Sequence, residues 1–298
     1  MNDGLIIVDG HAVLHRAFHA LPPLTSSGGQ PTGAVYGFFK MILRLWADFA
    51  PKYFLVALDA PGPNFRHEKF IGYQAKRAKT DEKLVSQINL TREILIQSRI
   101  AASQKAGYEA DDLIGTVTKK VKNKFPVLIV TGDKDLTQLV GNKVSLFLPK
   151  NGFSLGRIMG PRQVKEDLGI KPSQVVDYKG LVGDSSDNYP GALGIGPKTG
   201  ASLLNQFDNL ATIYASLDQV KPLSVREKLV QYRNDVFLSA ELAKINCQVP
   251  FDFNLDSLQA NRVDFSKLKS TFSLLGFRSL LADLNKAPSG QMDLFKNK

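Results

Sequence analysis

The sequence predicts an α/β fold: a largely parallel, twisted sheet with helices on both faces, followed by a helical region. Three observations carry that reading. Short apolar runs at residues 5–8, 53–58, 127–130 and 144–148 alternate with amphipathic helical patterns, the rhythm of βα units. The first three runs lead into aspartates, Asp9, Asp59 and Asp133, and the carboxyl edge of an open parallel sheet is where ligands bind. After about residue 160 the apolar spacing is helical throughout.

In chain order, residues 5–8 form a buried strand ending at Asp9-Gly10, followed by a helix carrying Leu14, Arg16 and Phe18. Pro, Gly, Ser and Thr make 22–33 a loop. Residues 35–49 are a second amphipathic helix and 53–58 a second strand. Pro61, Gly62 and Pro63 break the chain. Beyond them Arg66, Lys69, Lys76, Arg77, Lys79 and Lys83 interleave with Phe65, Phe70 and Tyr73. That pattern suits a grip on single strands, charge to phosphate and ring to base, or equally a solvated helix with one apolar stripe.

Residues 100–104 read as a short strand leading into Tyr108-Glu109-Ala110-Asp111-Asp112. Leu113, Ile114, Val117 and Val121 follow at helical spacing, so the acids occupy a first turn. Capping needs one or two acids there; three within four residues, at mutual repulsive cost, point beyond capping. Lys119, Lys120, Lys122 and Lys124 complement the dipole at the other end. Residues 127–130 are the clearest strand and run into Thr131-Gly132-Asp133-Lys134-Asp135, where Asp133 and Asp135 share a side. Residues 144–148 are the next strand, with a turn at Asn151-Gly152. A helix at 175–182 enters Gly183-Asp184-Ser185-Ser186-Asp187-Asn188, where Asp184 and Asp187, three apart, can face one site. Gly191, Gly194, Ile195, Gly196, Lys198 and Thr199 precede or open a helix at 201–207. Glycines around one apolar residue let backbone approach a phosphate, and a helix N-terminus offers it N–H groups. Residues 208–285 read as further helices and 286–298 as a polar, mobile tail. The expected division is a catalytic domain at 1–160, a helical region at 161–285 and the tail.

The chain has 298 residues, 43% of them hydrophobic, enough for a sizeable core. No apolar run approaches the ~18 residues that span a membrane, and the N-terminus enters a strand without a signal-peptide pattern. One cysteine, Cys247, excludes an internal disulfide and a thiolate metal cluster. The expected compartment is a reducing cytoplasm. A net charge of +10 suggests a polyanionic partner.

Asp9, Asp59, Glu109, Asp111, Asp112, Asp133, Asp135, Asp184 and Asp187 all fall at element ends. Gathered in one pocket they would not stay ionised without cations. Oxygen donors without Cys or His suit Mg²⁺ or Mn²⁺, and a pair of such ions suits phosphodiester hydrolysis. With those nine set aside, 19 acids face 38 bases: an acidic centre in a basic surface, as a metal nuclease needs.

Several motifs resemble, in order across residues 1–285, the 5′-nuclease family. That family includes the N-terminal 5′→3′ exonuclease domain of bacterial DNA polymerase I and the phage and archaeal flap endonucleases. The motifs are Val8-Asp9-Gly10-His11 with Arg16, Leu58-Asp59-Ala60, Phe65-Arg66-His67-Glu68, Tyr73 with Arg77, residues 107–112, 131–136 and 183–188, and Gly194-Ile195-Gly196-Pro197-Lys198-Thr199. The resemblance implies a PIN-like, Rossmann-like sheet and a structure-specific nuclease for 5′ flaps, nicks, 5′ ends and RNA primer–DNA hybrids. It implies that Asp59, Glu109, Asp111 and Asp112, with Asp9 nearby, serve one metal, and that Asp133, Asp135, Asp184 and Asp187 form or share a second site. Residues 63–100 would be a helical arch, and Arg16, Arg66, Tyr73 and Arg77 would work at the reacting phosphate. Residues 189–206 would be a helix–hairpin–helix that grips duplex backbone, with a K⁺ ion held by backbone oxygens. The family's arch reads Tyr-Lys-x-x-Arg; here Gln74 stands at the lysine, leaving Lys76 or Arg77 to supply the charge. The polymerase half is absent, so the expectation is a stand-alone, monomeric nuclease in replication and repair. Gln291-Met292-Asp293-Leu294-Phe295 resembles a sliding-clamp docking peptide. The rivals are a PIN-type ribonuclease and a non-catalytic junction-binding protein.

Overall fold

A computed structural model describes residues 3–150 and 155–286. The turn at Asn151-Gly152 and the 291–295 peptide lie outside them. The chain order is β1 (Leu5–Asp9), α1 (Gly10–Ala20), α2 (Gly33–Phe49), β2 (Tyr53–Ala57), α3 (Phe65–Lys69), α4 (Glu82–Gln97), β3 (Ala102–Ser103), α5 (Ala110–Val121), β4 (Val127–Val130), β5 (Val144–Lys150) and β6 (Leu155–Met159). Helices follow: α6 (Pro161–Leu168), α7 (Val175–Val182), α8 (Pro197–Phe207), α9 (Leu210–Ala215), α10 (Leu223–Gln231), α11 (Arg233–Ala243), α12 (Phe265–Leu274) and α13 (Arg278–Lys286).

One sheet runs β3-β2-β1-β4-β5-β6. All pairings are parallel except β5 with β6. β6 is an antiparallel edge the sequence pattern did not announce. Every residue of β1 is buried, because both faces are covered. Leu5 and Ile7 join a core with α5 and the helices from α6 to α11. Ile6 and Val8 join a core with α1, α2, α4, α12 and α13. A strand buried on both sides reads as an unbroken apolar run, which is why 5–8 was legible. Strand order reverses at β1, whose neighbours are β2 and β4, and the crevice beyond such a reversal is the usual ligand position.

The last two helices return to the sheet. Phe272 of α12 is fully buried, with Phe39 of α2 and Phe277 at ring-centroid distances of 5.3 and 5.9 Å. No helix is long and apolar enough to cross a membrane among the described residues. Phe272→Ala is expected to cost about 3–5 kcal/mol, the range for removing a buried aromatic side chain. Urea unfolding followed by circular dichroism measures it, and a loss under about 1 kcal/mol would detach these helices from the core.

Candidate active site

Three strand ends and one helix start converge on a cavity of about 620 Å³. Asp9 ends β1, Asp59 lies two residues past β2, Asp133 lies just past β4, and Glu109 with Asp111 opens α5. All five line the cavity, with Asp135 and Asp187. Asp9 is fixed twice: Ala12 N donates to its Oδ1 (3.1 Å) and Thr131 Oγ1 to its Oδ2 (2.8 Å). Asp59 Oδ1 accepts from Ala110 N (2.7 Å), so it caps α5 from another strand. Gly10 lets β1 and β2 end this close together, since a Cβ there would meet Leu58 Cδ2 at 2.5 Å.

Charge is not balanced in this cavity. Burial, with Asp59 nearby, pushes Asp9 from its ordinary 3.8 up to about 7. Burial pushes Glu109 up to about 7 from 4.5, against the opposing pull of Arg66. Asp111 stands well above the ordinary range through burial, then repulsion from Asp133 and Asp9. Asp135 reaches about 6 through burial and Asp133, restrained by Lys179. Burial also acts on Asp184, but Lys179 and Ser186 outweigh it and hold that carboxyl below its ordinary value.

Asp112 is set apart from the other acids. It is fully buried and does not line the cavity. Its two oxygens accept from Arg66 Nη1 and Nη2 (both 2.8 Å), and Asn246 N also donates to it (2.8 Å). Arg66 is only 3% exposed and donates as well to the carbonyls of Leu242 (2.9 Å) and Lys244 (3.1 Å). Its Nη1 also lies 2.9 Å from Glu109 Oε2. The geometry therefore joins Arg66 and Asp112 in a buried strut, of which Arg66 lines the cavity and Asp112 does not. The cause is helical: successive residues point about 100° apart, so Asp111 and Asp112 cannot share a face.

The segment after α3 closes over the acids. Tyr73 Oη donates toward Glu109 (3.2 and 3.3 Å) and Asp187 (3.3 Å). Gln74 Nε2 donates to Glu109 (3.1 Å) and Asp187 (3.3 Å), and Arg77 Nη2 to Asp187 (2.6 Å). Lys76 is exposed and does not line the cavity. Arg16 does not line it either; its Nε is buried without a hydrogen-bond partner among the described residues.

Asp184 does not line the cavity. Lys179 Nζ bonds Asp184 Oδ2 and lies 2.5 Å from Asp135 Oδ1. The hairpin between α7 and α8 continues from there. Gly191, at φ +61°, donates to Ser239 Oγ (3.0 Å), and a Cβ on it would meet Gly183 N at 2.3 Å. Ile195 is buried in the core, while Gly194, Gly196 and Lys198 are exposed and Thr199 half-buried. None of these hairpin residues lines the acid cavity.

Sequence reasoning passed over Asn64, which donates to Glu109 Oε1 (2.9 Å), and Thr131 on Asp9. His11, quoted in the first motif without a role of its own, and His15 line the cavity one helical turn apart. Asp59 N donates to His11 Nδ1 (3.0 Å). The i, i+4 spacing of these histidines beside the first motif was the available signal.

The residues fit a hard divalent cation. The Asp111 side chain has no hydrogen bond or ion pair among the described residues, and the ligand atoms around it are carboxylate oxygens. As the side chains stand, no three His, Cys, Asp or Glu among the described residues converge closely enough to hold an ion. Glu109 and Asp187 are occupied by Tyr73, Gln74 and Arg77, and Asp135 and Asp184 by Lys179.

Two family models match consecutive parts of the chain: "5′-3′ exonuclease, N-terminal resolvase-like domain" at residues 4–169 and "5′-3′ exonuclease, C-terminal SAM fold" at 170–266. DNA polymerase I of Bacillus caldotenax is 40% identical over 292 residues, 98% of this chain and 33% of that protein. The thermostable DNA polymerase I of Thermus thermophilus is 38% identical over 288 residues, 96% of this chain and 34% of its own. The chain thus spans about a third of these relatives' length. Among solved structures, phage T5 5′-exonuclease with bound zinc superposes with a TM-score of 0.69 at 21% identity, covering 98% of this chain and 99% of that one. The catalytic core of Rad2 in complex with DNA gives 0.57 at 19% identity, covering 95% and 91%. Both share the fold.

A carboxyl with a raised folded-state pKa keeps its proton where the unfolded chain has lost it. Between about pH 4 and 7 the folded state binds more protons, so stability falls as pH rises. Melting temperature in EDTA is expected to fall from about pH 5 to about pH 8. Asp111→Asn should flatten that slope and raise the melting temperature, because it removes repulsion. Asp112→Asn should lower it, because it removes the bidentate carboxylate from buried Arg66 and leaves Glu109 alone as counter-charge. Scanning calorimetry measures all three, and equal shifts for the two variants would erase the division between them.

Proposed function

Because the chain belongs to the 5′-3′ exonuclease family, we propose that it is a structure-specific, divalent-metal-dependent 5′→3′ exonuclease and flap endonuclease. It would hydrolyse DNA and RNA-primer phosphodiesters near duplex–single-strand junctions, in primer removal and repair. The observation that carries this reading is the convergence of Asp9, Asp59, Asp111 and Asp133 on one cavity without balancing cationic side chains of their own.

Asp9, Asp59, Glu109, Asp111 and Asp133 would hold one cation, and Asp135, Asp184 and Asp187 would form or share a second; Mg²⁺ or Mn²⁺ suits these oxygens. Such ions supply charge stabilisation to a phosphodiester and lower the pKa of water. The chain's own residues do the positioning. Thr131 and Ala12 hold both oxygens of Asp9, and Ala110 N aims Asp59. Arg77, 52% exposed at the cavity rim, offers a guanidinium to a phosphate. Gly194, Gly196 and Lys198 present exposed backbone and charge to a duplex, a grip without base readout. A K⁺ ion at that hairpin rests on the resemblance alone. Docking to a sliding clamp rests on the 291–295 sequence alone, and titrating a 286–298 peptide against purified clamp tests it.

A labelled 5′-flap duplex should be cut with Mg²⁺ or Mn²⁺ and left intact in EDTA, with single-stranded RNA uncut. Asp111→Asn should abolish cutting. Arg77→Ala should slow single-turnover cleavage at least about tenfold, the loss of one charge-stabilising contact. Cleavage in EDTA, or equal cleavage of the RNA, would overturn the reading.

A further inference from the structure

The two halves of the acid set differ in their built-in counter-charge. Asp9, Asp59 and Asp111 make no ion pair with a lysine or arginine among the described residues. Asp135, Asp184 and Asp187 are engaged by two internal cations. Arg77 reaches Asp187 from a half-exposed position, so solvent weakens that pair. Lys179 is different. Its side chain is 17% exposed, and its ammonium sits between Asp135 Oδ1 and Asp184 Oδ2, which are themselves 15% and 13% exposed.

The Asp184 carboxylate is fixed independently of the lysine, while at Asp135 it is the backbone that is tied. Asp135 N donates to Asp133 Oδ1 (2.8 Å), and Asp184 Oδ1 accepts from Ser186 N (2.7 Å) and Ser186 Oγ (2.5 Å). The Asp184 backbone pairs with Tyr189 in both directions, at 2.9 and 3.0 Å. Lys179 stands in the last turn of α7, and Gly183 N closes that turn onto its carbonyl (2.8 Å). The ammonium is therefore a tethered cation laid between the prefixed carboxylate of Asp184 and that of Asp135, whose backbone is anchored. A divalent ion and an ammonium cannot use the same oxygens together, because both desolvation and repulsion oppose it.

Resting on the functional reading above, we propose that Lys179 occupies the second acid group as a resident competitor. A divalent ion binds there only by displacing the ammonium, so the two ion sites differ in affinity by construction. Site affinity for hard cations follows the uncompensated ligand charge, and one internal positive charge is removed from the count when Lys179 is. A lysine that merely organised the carboxylates would have the opposite effect on loss: weaker binding.

The experiment is a Mn²⁺ titration of the full chain without nucleic acid, free Mn²⁺ being read by its electron paramagnetic resonance signal. It compares the unaltered protein with Lys179→Met and Lys179→Arg. Lys179→Met should tighten the weaker class of sites at least about tenfold, in line with the loss of one opposing charge, and leave the tighter class nearly unchanged. Lys179→Arg should keep the unaltered protein's two classes. Circular dichroism in EDTA checks folding, and Lys179→Gln replaces the methionine variant if that does not fold. A weaker class that is unchanged or looser in the charge-removing variant overturns the proposal and leaves the nuclease reading standing. Absence of Mn²⁺ binding in every protein overturns both.

Discussion

Asp9, Asp59, Asp111 and Asp133 share one cavity, where burial and the neighbouring charges act in the same direction against ionisation of Asp9 and Asp111. Two unit charges ~4 Å apart repel by about 4 kcal/mol at an effective dielectric of ~20. A loop carrying such charges would move to separate them. Here they are mounted where movement costs most: the end of a strand with no exposed residue, the end of its neighbour, and the first turn of a buried-faced helix. Backbone N–H groups and one threonine hydroxyl disperse the charge on Asp9 and Asp59 without cancelling it. Cancellation needs a cation, and the geometry leaves Asp111 as the carboxylate with nothing else to satisfy it.

The arginine–aspartate pair beside this cavity holds the frame against that repulsion. Arg66, Asp112 and the carbonyls of Leu242 and Lys244 join three stretches of chain far apart in sequence. Removing Arg66 strands Asp112 in the interior, and removing Asp112 leaves Arg66 with Glu109 alone as counter-charge, so the pair is felt through stability and alignment. Gln138 ties the same region a second time. It donates to the Ala243 carbonyl (3.0 Å) and accepts from Ile245 N (3.0 Å). The end of α11 is thus fastened to both the start of α5 and the turn that carries Asp135.

Much of this was legible from residue pattern because burial on both faces leaves an unmistakable apolar run, and because acids at element ends are conspicuous. What was not legible has definite causes. β6 is an edge strand whose Gly156 lies beneath the Phe147 ring, so it carries little alternation to read. α8 begins at Pro197, four residues before the pattern suggests, because Gly200 reads as a breaker but is needed where a Cβ would meet Val182 Cγ2 at 2.8 Å. The separate fates of Asp111 and Asp112 depend on which face of α5 meets Arg66, a long-range contact that spacing alone does not encode. Lys179 was hidden by an ordinary explanation, since a lysine in a helix's last turn already satisfies the dipole.

The segment after α3 gives the cavity a coupling that acids alone would lack. Tyr73 and Gln74 each reach both Glu109 and Asp187, which belong to different halves of the acid set. Gln74 N also donates to the Asp187 carbonyl (2.9 Å), and Asn188 Nδ2 to the Gly72 carbonyl (2.7 Å). The two loops are therefore tied directly to each other through their backbones. A neutral amide at position 74 makes these contacts without adding charge, which concentrates compensation of the second half on Arg77 and Lys179. A cation entering that half must then compete with side chains already in place. A cation entering the first half meets carboxylates without a lysine or arginine partner, apart from Glu109 beside Arg66. The order in which the cavity can be neutralised is built into which side of it the chain supplied with lysine and arginine.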